Sequence, residues 1–477
     1  MKKLLTVSAL ALLAGGTAFA MTSGADEPGA QEATAETWAP QPFVQIEAPE
    51  WTRNAVLYQI NTRNFTAEGT FAAAEAELPR LKELGVDILW LMPIHPIGVE
   101  NRKGTLGSPY SVQDYYAVNP EFGTEEDLRS FVDAAHEQGF HVILDLVANH
   151  TAWDNELATE HPDWYEKTWD GNFRPTPFWD WSDIIDLDWS QPGVREHVGG
   201  AMEYWVREFG IDGYRADVAG YVPIDFWETM RARLDAIRPV FMLGEVQQTV
   251  HHRAAFDASY GWDWHVASKR IAQGGADATG FFGYYAEHQS LWPAEAMRLT
   301  YIENHDSNAW EGTIYENYGP ALEAMTALSF THEGLSMVHN GQEACNATRL
   351  EFFEKDPIDW SQGEDCTYGD LLADLIAFRT ENPALHNGRW GARMNPVTSD
   401  KPQQLFGFVR ERDGNRVLAL FNLSGQPVTA TLADALAAGS YAEFQSGEAV
   451  TIAEGDTVSL PAWGFRLLSS TAEASAE

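Results

Sequence analysis

Four apolar segments of the chain each end in acidic residues. In chain order they are HVILDLVANH at 141–150, DGYRADVAG at 212–220, VFMLGEVQ at 240–247 and LTYIENHD at 299–306. Such short apolar runs are typical of strands covered on both faces, and acids at the carboxyl ends of parallel strands are where a parallel barrel builds its active site. Asp217, Glu245 and Asp306 could cleave a glycosidic bond, because that reaction needs one carboxylate nucleophile and a second carboxyl as proton donor. The pattern therefore predicts an enzyme.

The residues around these acids resemble the motifs of the α-amylase family, glycoside hydrolase family 13. The matching stretches are DLVANH, YRADVAG, LGEV and ENHD, in one fixed order, and the resemblance covers residues 53–470. It implies a TIM (β/α)8 barrel with a short lobe inserted after strand 3 and a C-terminal antiparallel β-sandwich. It also implies a hydrolase that retains the anomeric configuration.

The resemblance gives each carboxylate a role. Asp217 matches the nucleophile, Glu245 the acid/base and Asp306 a third carboxylate that binds sugar hydroxyls. Arg215 precedes Asp217 by two residues, which puts both side chains on one strand face, where the guanidinium favours the ionised carboxylate. We group Arg215 with the substrate-binding residues; a purely structural ion pair is the alternative. The apolar run before Glu245 indicates a desolvated carboxyl with a raised pKa.

Further residues match the family's sugar contacts. Tyr110, four residues before Asp114, is expected to stack on the sugar at the cleavage point, although a tyrosine is equally suited to half-buried packing. His150 and His305 are expected to touch the same sugar ring. Asp145 matches a residue that supports the site by hydrogen bonding. Aromatic residues of the lobe that could line further subsites are Trp153, Trp179 and Trp181.

Calcium is implied by the resemblance alone. Many relatives hold one Ca²⁺ between barrel and lobe, and the matching positions here are Asn149, Asp186 and the backbone carbonyl of Tyr221. Oxygen ligands of these kinds suit Ca²⁺. The family usually has Lys-His where this chain has Gly220 and Tyr221, so the chain departs from the pattern at one of the three ligands.

Composition and pattern shifts divide the chain. The divisions are a secretory signal at 1–20, a linker at 21–50, the barrel at 51–150 and 191–390, the lobe at 151–190, the sandwich at 391–470 and a tail at 471–477. The first segment carries two lysines, an apolar run and Ala-Phe-Ala, the layout of a cleavable signal, with a membrane anchor as the alternative. We expect a secreted or periplasmic protein with no membrane contact after cleavage.

Alternating strands and helices are the signature of βα units. Strands are predicted at 55–60, 86–94, 141–147 and 297–302, two more start at 212 and 240, GLSMVHNGQE at 334–343 supplies a late strand, and the sixth lies near 255–258. Helices are predicted at 71–84, 125–138, 193–209, 224–237 and 369–380.

The charge balance restricts the partners. The chain has 70 Asp and Glu against 31 Lys and Arg, a net charge of −39, which repels nucleic acid and other polyanions. A neutral polysaccharide is compatible with this charge, and we expect a monomer that binds starch or maltooligosaccharides. Cys345 and Cys366 could form a disulfide in an exported chain or remain as two buried thiols.

The sequence therefore predicts an α-amylase that cleaves internal α-1,4 bonds of starch. An exo-acting or oligosaccharide-preferring relative is the alternative, such as an α-glucosidase, a maltogenic amylase or a transglycosylase, because loops that block a cleft are not visible in sequence. A glucan-binding protein without catalysis is a third possibility, since fold alone does not give function. The presence of all three carboxylates argues against it.

Overall fold

A computed structural model describes residues 42–470, apart from the side chains of residues 364 and 365. The predicted signal at 1–20 and the tail at 471–477 lie outside the described residues. Within them, the chain forms a closed parallel barrel with an inserted lobe, followed by an antiparallel C-terminal domain. The predicted fold class is confirmed.

The strands are named β1–β18 in chain order. They are β1 Leu57–Ile60, β2 Ile88–Leu91, β3 His141–Leu146, β4 His150–Ala152, β5 Ile184–Asp186, β6 Gly213–Ala216, β7 Phe241–Gly244, β8 Ala258–Tyr260, β9 Met297–Thr300, β10 Leu335–His339, β11 Asn395–Pro396, β12 Leu405–Arg412, β13 Asn415–Asn422, β14 Val428–Thr431, β15 Gly439–Glu443, β16 Ala449–Ile452, β17 Thr457–Leu460 and β18 Phe465–Ser470.

The helices are named α1–α12. They are α1 Thr62–Phe65, α2 Phe71–Ala76, α3 Leu78–Leu84, α4 Glu125–Glu137, α5 Glu156–Glu160, α6 Pro192–Phe209, α7 Ile224–Asp235, α8 Trp262–Ala272, α9 Thr279–Leu291, α10 Ile314–Tyr318, α11 Leu322–Thr331 and α12 Thr367–Glu381.

The barrel closes in the order β1-β10-β9-β8-β7-β6-β3-β2, and its neighbouring strands are parallel. All carboxyl ends therefore open on one rim, which brings together acids that are far apart in sequence. Strands β6 and β7 approach so closely that a Cβ on Gly213 would lie 1.8 Å from the Phe241 carbonyl oxygen. Only glycine fits there, two residues before Arg215.

Two sequence predictions are refined by local chemistry. The helix predicted over 71–84 is divided into α2 and α3, because Pro79 occupies the first turn of α3. The sixth barrel strand, β8, lies at Ala258–Tyr260, overlapping only the end of the predicted stretch. A strand of three residues is too short for its pattern to be read.

The predicted linker includes residues that belong to the barrel. The backbone N–H of Gln45 donates to the Arg253 carbonyl over 2.7 Å, and Arg231 donates to the Glu47 carbonyl over 2.9 Å. The compact unit begins at Phe43 rather than Trp51. Ala48 also packs against a buried cluster of the barrel, so this segment is held by side-chain as well as backbone contacts.

The C-terminal domain packs two antiparallel sheets against each other. The larger has the order β11-β12-β13-β18-β15-β16, and the smaller pairs β14 with β17. Leu418 and Leu420 of the larger sheet share one buried cluster with Val428 and Val458 of the smaller. This is the sandwich predicted for 391–470.

Cys345 and Cys366 form a disulfide, with their Cα atoms 5.6 Å apart. The bond connects the loop after β10 to the start of α12. Of the two states that the sequence allowed, a disulfide and a pair of buried thiols, the structure has the disulfide. Across residues 42–470, none of the helices has both the length and the apolar character that crossing a bilayer requires.

Candidate active site

Arg215 of β6 lies at the centre of the carboxyl-end rim with 0% of its surface exposed. Its Nη1 lies 2.8 Å from Asp145 Oδ1 and 2.8 Å from Asp217 Oδ1, and its Nη2 lies 3.0 Å from Glu245 Oε2. Its Nε donates to the Tyr260 hydroxyl over 3.3 Å. One buried guanidinium therefore holds three carboxyl groups from three neighbouring strands.

Glu245 follows β7 and is held through one of its oxygens. Oε2 accepts from the Val218 backbone N–H over 2.7 Å and forms an ion pair with Arg215 Nη2 at 3.0 Å. Burial, together with the charges of Asp217 and Asp306, raises the pKa of Glu245 to about 8 against the opposing effect of Arg215. Among the described residues no donor reaches Oε1, which is therefore the oxygen suited to carry a transferable proton.

Asp217 lies at the bottom of the cavity, with 10% of its side chain exposed. Its backbone N–H donates to the Leu146 carbonyl. The next residue, Val218, has a φ of 36°, which is rare for a β-branched side chain and costs about 1–3 kcal/mol. The Val218 N–H donates to Glu245, so the backbone next to the nucleophile helps to fix the two carboxyl groups beside each other.

Asp306 is the most exposed of the three acids, with 45% of its side chain accessible. It precedes a single π-helical turn, Ser307–Glu311. Asn308 of that turn donates to Glu303 over 3.0 Å, and Glu303 pairs with His339 at 2.9 Å. This buried network fixes the turn, and the Asp306 carboxylate stays in the cavity, where it can accept sugar hydroxyls.

Hydrogen bonds determine the tautomer of His305. Gln59 Oε1 accepts from the His305 backbone N–H over 3.2 Å, so the Gln59 amide nitrogen faces His305 Nδ1 at 2.6 Å. Burial lowers the pKa of His305 well below its usual value, so the ring is neutral, with Nδ1 accepting and the proton on Nε2. Nε2 lies 2.8 Å from the Tyr110 hydroxyl, which in turn donates to Asp145 over 3.0 Å.

The three acids line a cavity of about 590 Å³. One side consists of Trp179 and Trp181 of the lobe, with ring centroids 5.2 Å apart and nearly parallel planes. The other side consists of loop residues after β9 and β10. The ring centroid of Phe352 lies 5.3 Å from that of Trp310 and 6.2 Å from that of Tyr110, which belongs to the loop after β2. Aromatic faces on both sides suit a ligand with apolar ring faces and polar edges.

Most predicted sugar contacts lie in this cavity. Tyr110, His150 and His305 all line it together with Asp217, Glu245 and Asp306. Asp145 is buried and holds Arg215, Trp90 and Tyr110 by hydrogen bonds, as predicted for a supporting residue.

Three of the residues named from the sequence lie outside the cavity. Asp114 is exposed outside the cavity, where its Oδ1 accepts from the Tyr116 N–H over 2.8 Å and closes its own turn. Arg215 does not line the cavity; it positions carboxylates beneath it. Trp153 packs against Phe173 inside the lobe, and its indole donates to the Ser182 carbonyl over 3.0 Å.

Several residues of the site were not predicted. They are Gln59, Trp90 and Tyr260 beneath the cavity, and Lys103, Trp310, Phe352 and Phe353 on its wall. Gln59 carried a signal, since it is a polar residue in the apolar strand AVLYQI. The wall residues lie on loops, where no periodicity indicates which side chains face inward.

The residues implied for calcium form a hydrogen-bonded cluster. Asp186 Oδ1 accepts from Thr176 over 2.5 Å and from the Asn149 amide nitrogen over 3.1 Å. Its Oδ2 lies 3.7 Å from the Arg174 guanidinium. Because a carboxylate only accepts, the Asn149 nitrogen rather than its oxygen faces Asp186.

This cluster does not fit a cation. Arg174 already supplies positive charge at Asp186, and the Asn149 amide directs its nitrogen rather than its oxygen toward that carboxylate. Within residues 42–470, no group of three or more His, Cys, Asp or Glu side chains could hold a metal ion. Calcium stays a prediction of the resemblance that this arrangement does not favour.

Comparison with known proteins agrees with the geometry. The family model for the α-amylase catalytic domain matches residues 40–368, and that for the maltogenic amylase C-terminal domain matches residues 396–467. α-Amylase MalA of Haloarcula japonica is 29% identical over 81% of this chain and 58% of its own length. A cyclomaltodextrinase from a Bacillus species is 26% identical over 80% of this chain and 75% of its own length.

The solved structures include a close match in fold. The noncanonic maltogenic α-amylase AmyB of Thermotoga neapolitana superposes with a TM-score of 0.79 at 29% identity, covering 87% of this chain and 98% of that one. The catalytic-domain match spans well over half of the chain, and the barrel brings Asp217, Glu245 and Asp306 to one cavity. The chain belongs to the α-amylase family, glycoside hydrolase family 13, and is a glycoside hydrolase.

Proposed function

We propose that this hydrolase cleaves α-1,4-glucosidic bonds of maltooligosaccharides with retention of the anomeric configuration. The observation that carries the proposal is the Arg215 guanidinium, which holds Asp217 and Glu245 side by side. Both carboxyl groups contact the same planar guanidinium, so they lie close together. A retaining enzyme needs its two carboxyl groups about 5–5.5 Å apart, which leaves no room for a water molecule to attack the sugar first.

The reaction proceeds in two balanced steps. The Asp217 carboxylate attacks the anomeric carbon as the bond to the leaving oxygen breaks, and Glu245 transfers its proton to that oxygen. The product of this step is a glycosyl ester on Asp217. Water then attacks the same carbon, Glu245 takes the water proton, and the ester bond breaks to restore the Asp217 carboxylate. Two inversions give net retention.

A preference for oligosaccharides over internal bonds of starch is supported by two observations. The cavity of about 590 Å³ lies within the range of about 300–1,000 Å³ found for small-ligand pockets rather than that of a long open groove. Relatives in the comparison carry the names maltogenic α-amylase and cyclomaltodextrinase. We therefore favour the alternative of an oligosaccharide-preferring enzyme over the internal attack on starch that the sequence first indicated.

The chain spans 58% of the length of its Haloarcula relative, so the substrates of that protein are only a guide here. The neutral character of a maltooligosaccharide is compatible with a net charge of −39. Asp306 and the aromatic walls would bind its hydroxyls and ring faces.

Substitution of the nucleophile tests the proposal. Asp217→Asn should abolish hydrolysis of maltoheptaose, because an amide cannot form the glycosyl ester. Asp225→Asn is the matched control, since Asp225 is exposed and pairs with Arg195 on the barrel exterior. NMR of the first products should show the α anomer with wild type and Asp225→Asn. A β product, or activity that survives in Asp217→Asn, would contradict the retaining mechanism, and transfer products would reveal a transglycosylase.

The alkaline side of the pH profile should report Glu245. Its pKa is raised to about 8, and the proton donor works only when protonated, so kcat/KM should fall as pH rises through that region. Glu245→Gln should lower kcat on maltoheptaose about 10²- to 10⁴-fold. With α-maltosyl fluoride, whose leaving group needs no proton, the first step should survive and the alkaline decline should vanish. Persistence of the decline in this variant would assign it to another group.

Metal removal should leave the lobe intact. Because Arg174 supplies the positive charge at Asp186, EDTA should not change the melting temperature, and added CaCl₂ should not raise it. A ligand bound only by the folded protein would raise the melting temperature with its concentration. Arg174→Gln should lower the melting temperature, whereas Arg53→Gln, at a pair with Glu50 in which both side chains are at least half exposed, should not. A calcium-dependent rise in wild type would restore the calcium prediction.

We also propose that the chain is exported. The layout of residues 1–20 and the Cys345–Cys366 disulfide support an oxidising compartment. The protein recovered outside the cytoplasm should have the mass of a chain that lacks residues 1–20 and contains no thiol. Replacing both cysteines by serine should lower the free energy of unfolding by about 2–4 kcal/mol. An uncleaved chain with two reactive thiols would contradict export.

A further inference from the structure

The cavity is not lined equally from all sides of the barrel. Its wall residues come from the loops after β2, β9 and β10 and from the lobe between β3 and β6. The loop after β7 contributes Glu245, and among the described residues the loop after β8 contributes none. The cavity is therefore walled on three sides and least enclosed beside β7 and β8.

The strand order places these features relative to the reaction. In the closed order, β7 lies diametrically opposite β1, and the neighbours of β1 are β2 and β10. Glu245 at β7 gives its proton to the leaving group, so the leaving part of the substrate extends over the open side. The loops after β2 and β10 must then bound the side that holds the retained sugar.

Lys103, on the loop after β2, joins that loop to the lobe. Its Nζ donates to the Asp180 carbonyl oxygen, and it lies 3.5 Å from the Asp180 carboxylate and 3.8 Å from that of Asp183. The same ammonium lies 5.9 Å from the centre of the Phe353 ring on the loop after β10. All four residues line the cavity.

Glu354 joins the loop after β10 to the loop after β2. Its Oε1 accepts from the Thr105 N–H over 2.7 Å, and its Oε2 accepts from the Thr105 hydroxyl. The Leu106 N–H donates to the Phe353 carbonyl over 3.1 Å. Three segments from different parts of the chain are thus joined to one another beside the cavity, on the β1 side of the barrel.

We propose that Lys103 and Glu354 close the retained-sugar end of the cavity, so that the enzyme cuts at a short, fixed distance from the non-reducing end of a maltooligosaccharide. This inference rests on the proposed function. An open groove would let the chain pass beyond the cavity on both sides and permit internal cuts. A closed end admits only a terminal sugar, whose free end must fit against the wall.

A substrate with a blocked end tests the wall directly. The probes are 4-nitrophenyl maltoheptaoside and the same compound with a 4,6-ethylidene group on the non-reducing end. Wild type should hydrolyse the blocked compound about tenfold or more slowly, since even one added methylene can cost a tight pocket this much. From the unblocked compound, the first fragments without the nitrophenyl group should be glucose or maltose.

Removing the contacts that join the loops should weaken both the discrimination against the blocked compound and the restriction to short first fragments. The variants are Lys103→Ala, Glu354→Ala and their combination, none of which removes a group that reacts. The double variant should hydrolyse the blocked and unblocked compounds at similar rates and release longer unlabelled fragments. Lys355→Ala is the matched control, because Lys355 is exposed on the same loop and donates to the Glu68 carbonyl over 2.8 Å, outside the cavity.

The outcomes separate this inference from the proposed function. If wild type hydrolyses blocked and unblocked compounds equally, or cuts at many internal positions from the start, the wall is refuted while retaining hydrolysis stands. If the folded double variant keeps the wild-type block and fragment pattern, Lys103 and Glu354 do not form the barrier. If wild type hydrolyses neither compound, the proposed function fails and the inference fails with it.

Discussion

The Arg215 guanidinium has no exposed surface and faces the carboxyl groups of Asp145, Asp217 and Glu245. Removing a charge from water costs several kcal/mol unless opposite charge compensates it. One positive charge cannot compensate three ionised carboxylates in the same buried space, so the cluster favours retaining a proton. Burial raises the pKa of Asp145 to about 7, but the nearby Arg215 charge and hydrogen bonds from Arg215 and Tyr110 oppose the rise, and the pKa of Glu245 is raised further, to about 8. Glu245 is the member best able to hold the proton, and this charge balance makes it the acid.

The same guanidinium explains why a closed barrel is needed. Its three carboxyl partners come from β3, β6 and β7, which are neighbours only because the strand ends meet on one rim. The close approach of β6 and β7 at Gly213 depends on the missing side chain. A shift of either strand would separate a carboxylate from the guanidinium and leave buried charge without a partner, at a cost of about 3–5 kcal/mol. The cluster therefore specifies strand register as well as chemistry.

Sequence reasoning succeeded where periodic strands fix the geometry. Asp217, Glu245 and Arg215 could be placed because strand ends converge and strand side chains alternate. It did not place Asp114, which lies on a loop and closes its own turn outside the cavity, or Trp153, which packs partly buried within the lobe. Contacts between distant parts of the chain leave no local pattern: Gln59 of β1 bonds to His305 across 246 residues, and Thr105 to Glu354 across 249. The residues that form the wall of the cavity could therefore be identified only from the structure.

Irregular backbone is concentrated around the carboxylates. Val218 has a left-handed conformation beside Asp217, and a π-helical turn follows Asp306. Each departs from regular geometry at a residue whose neighbour faces the cavity, and π-helical turns occur frequently at functional sites. The Val218 N–H bond to Glu245 and the Asn308 bond to Glu303 hold these conformations. The bond from the Val218 N–H joins the residue after the nucleophile to the acid, so this irregular turn helps to hold the two carboxyl groups on which the two-step reaction depends.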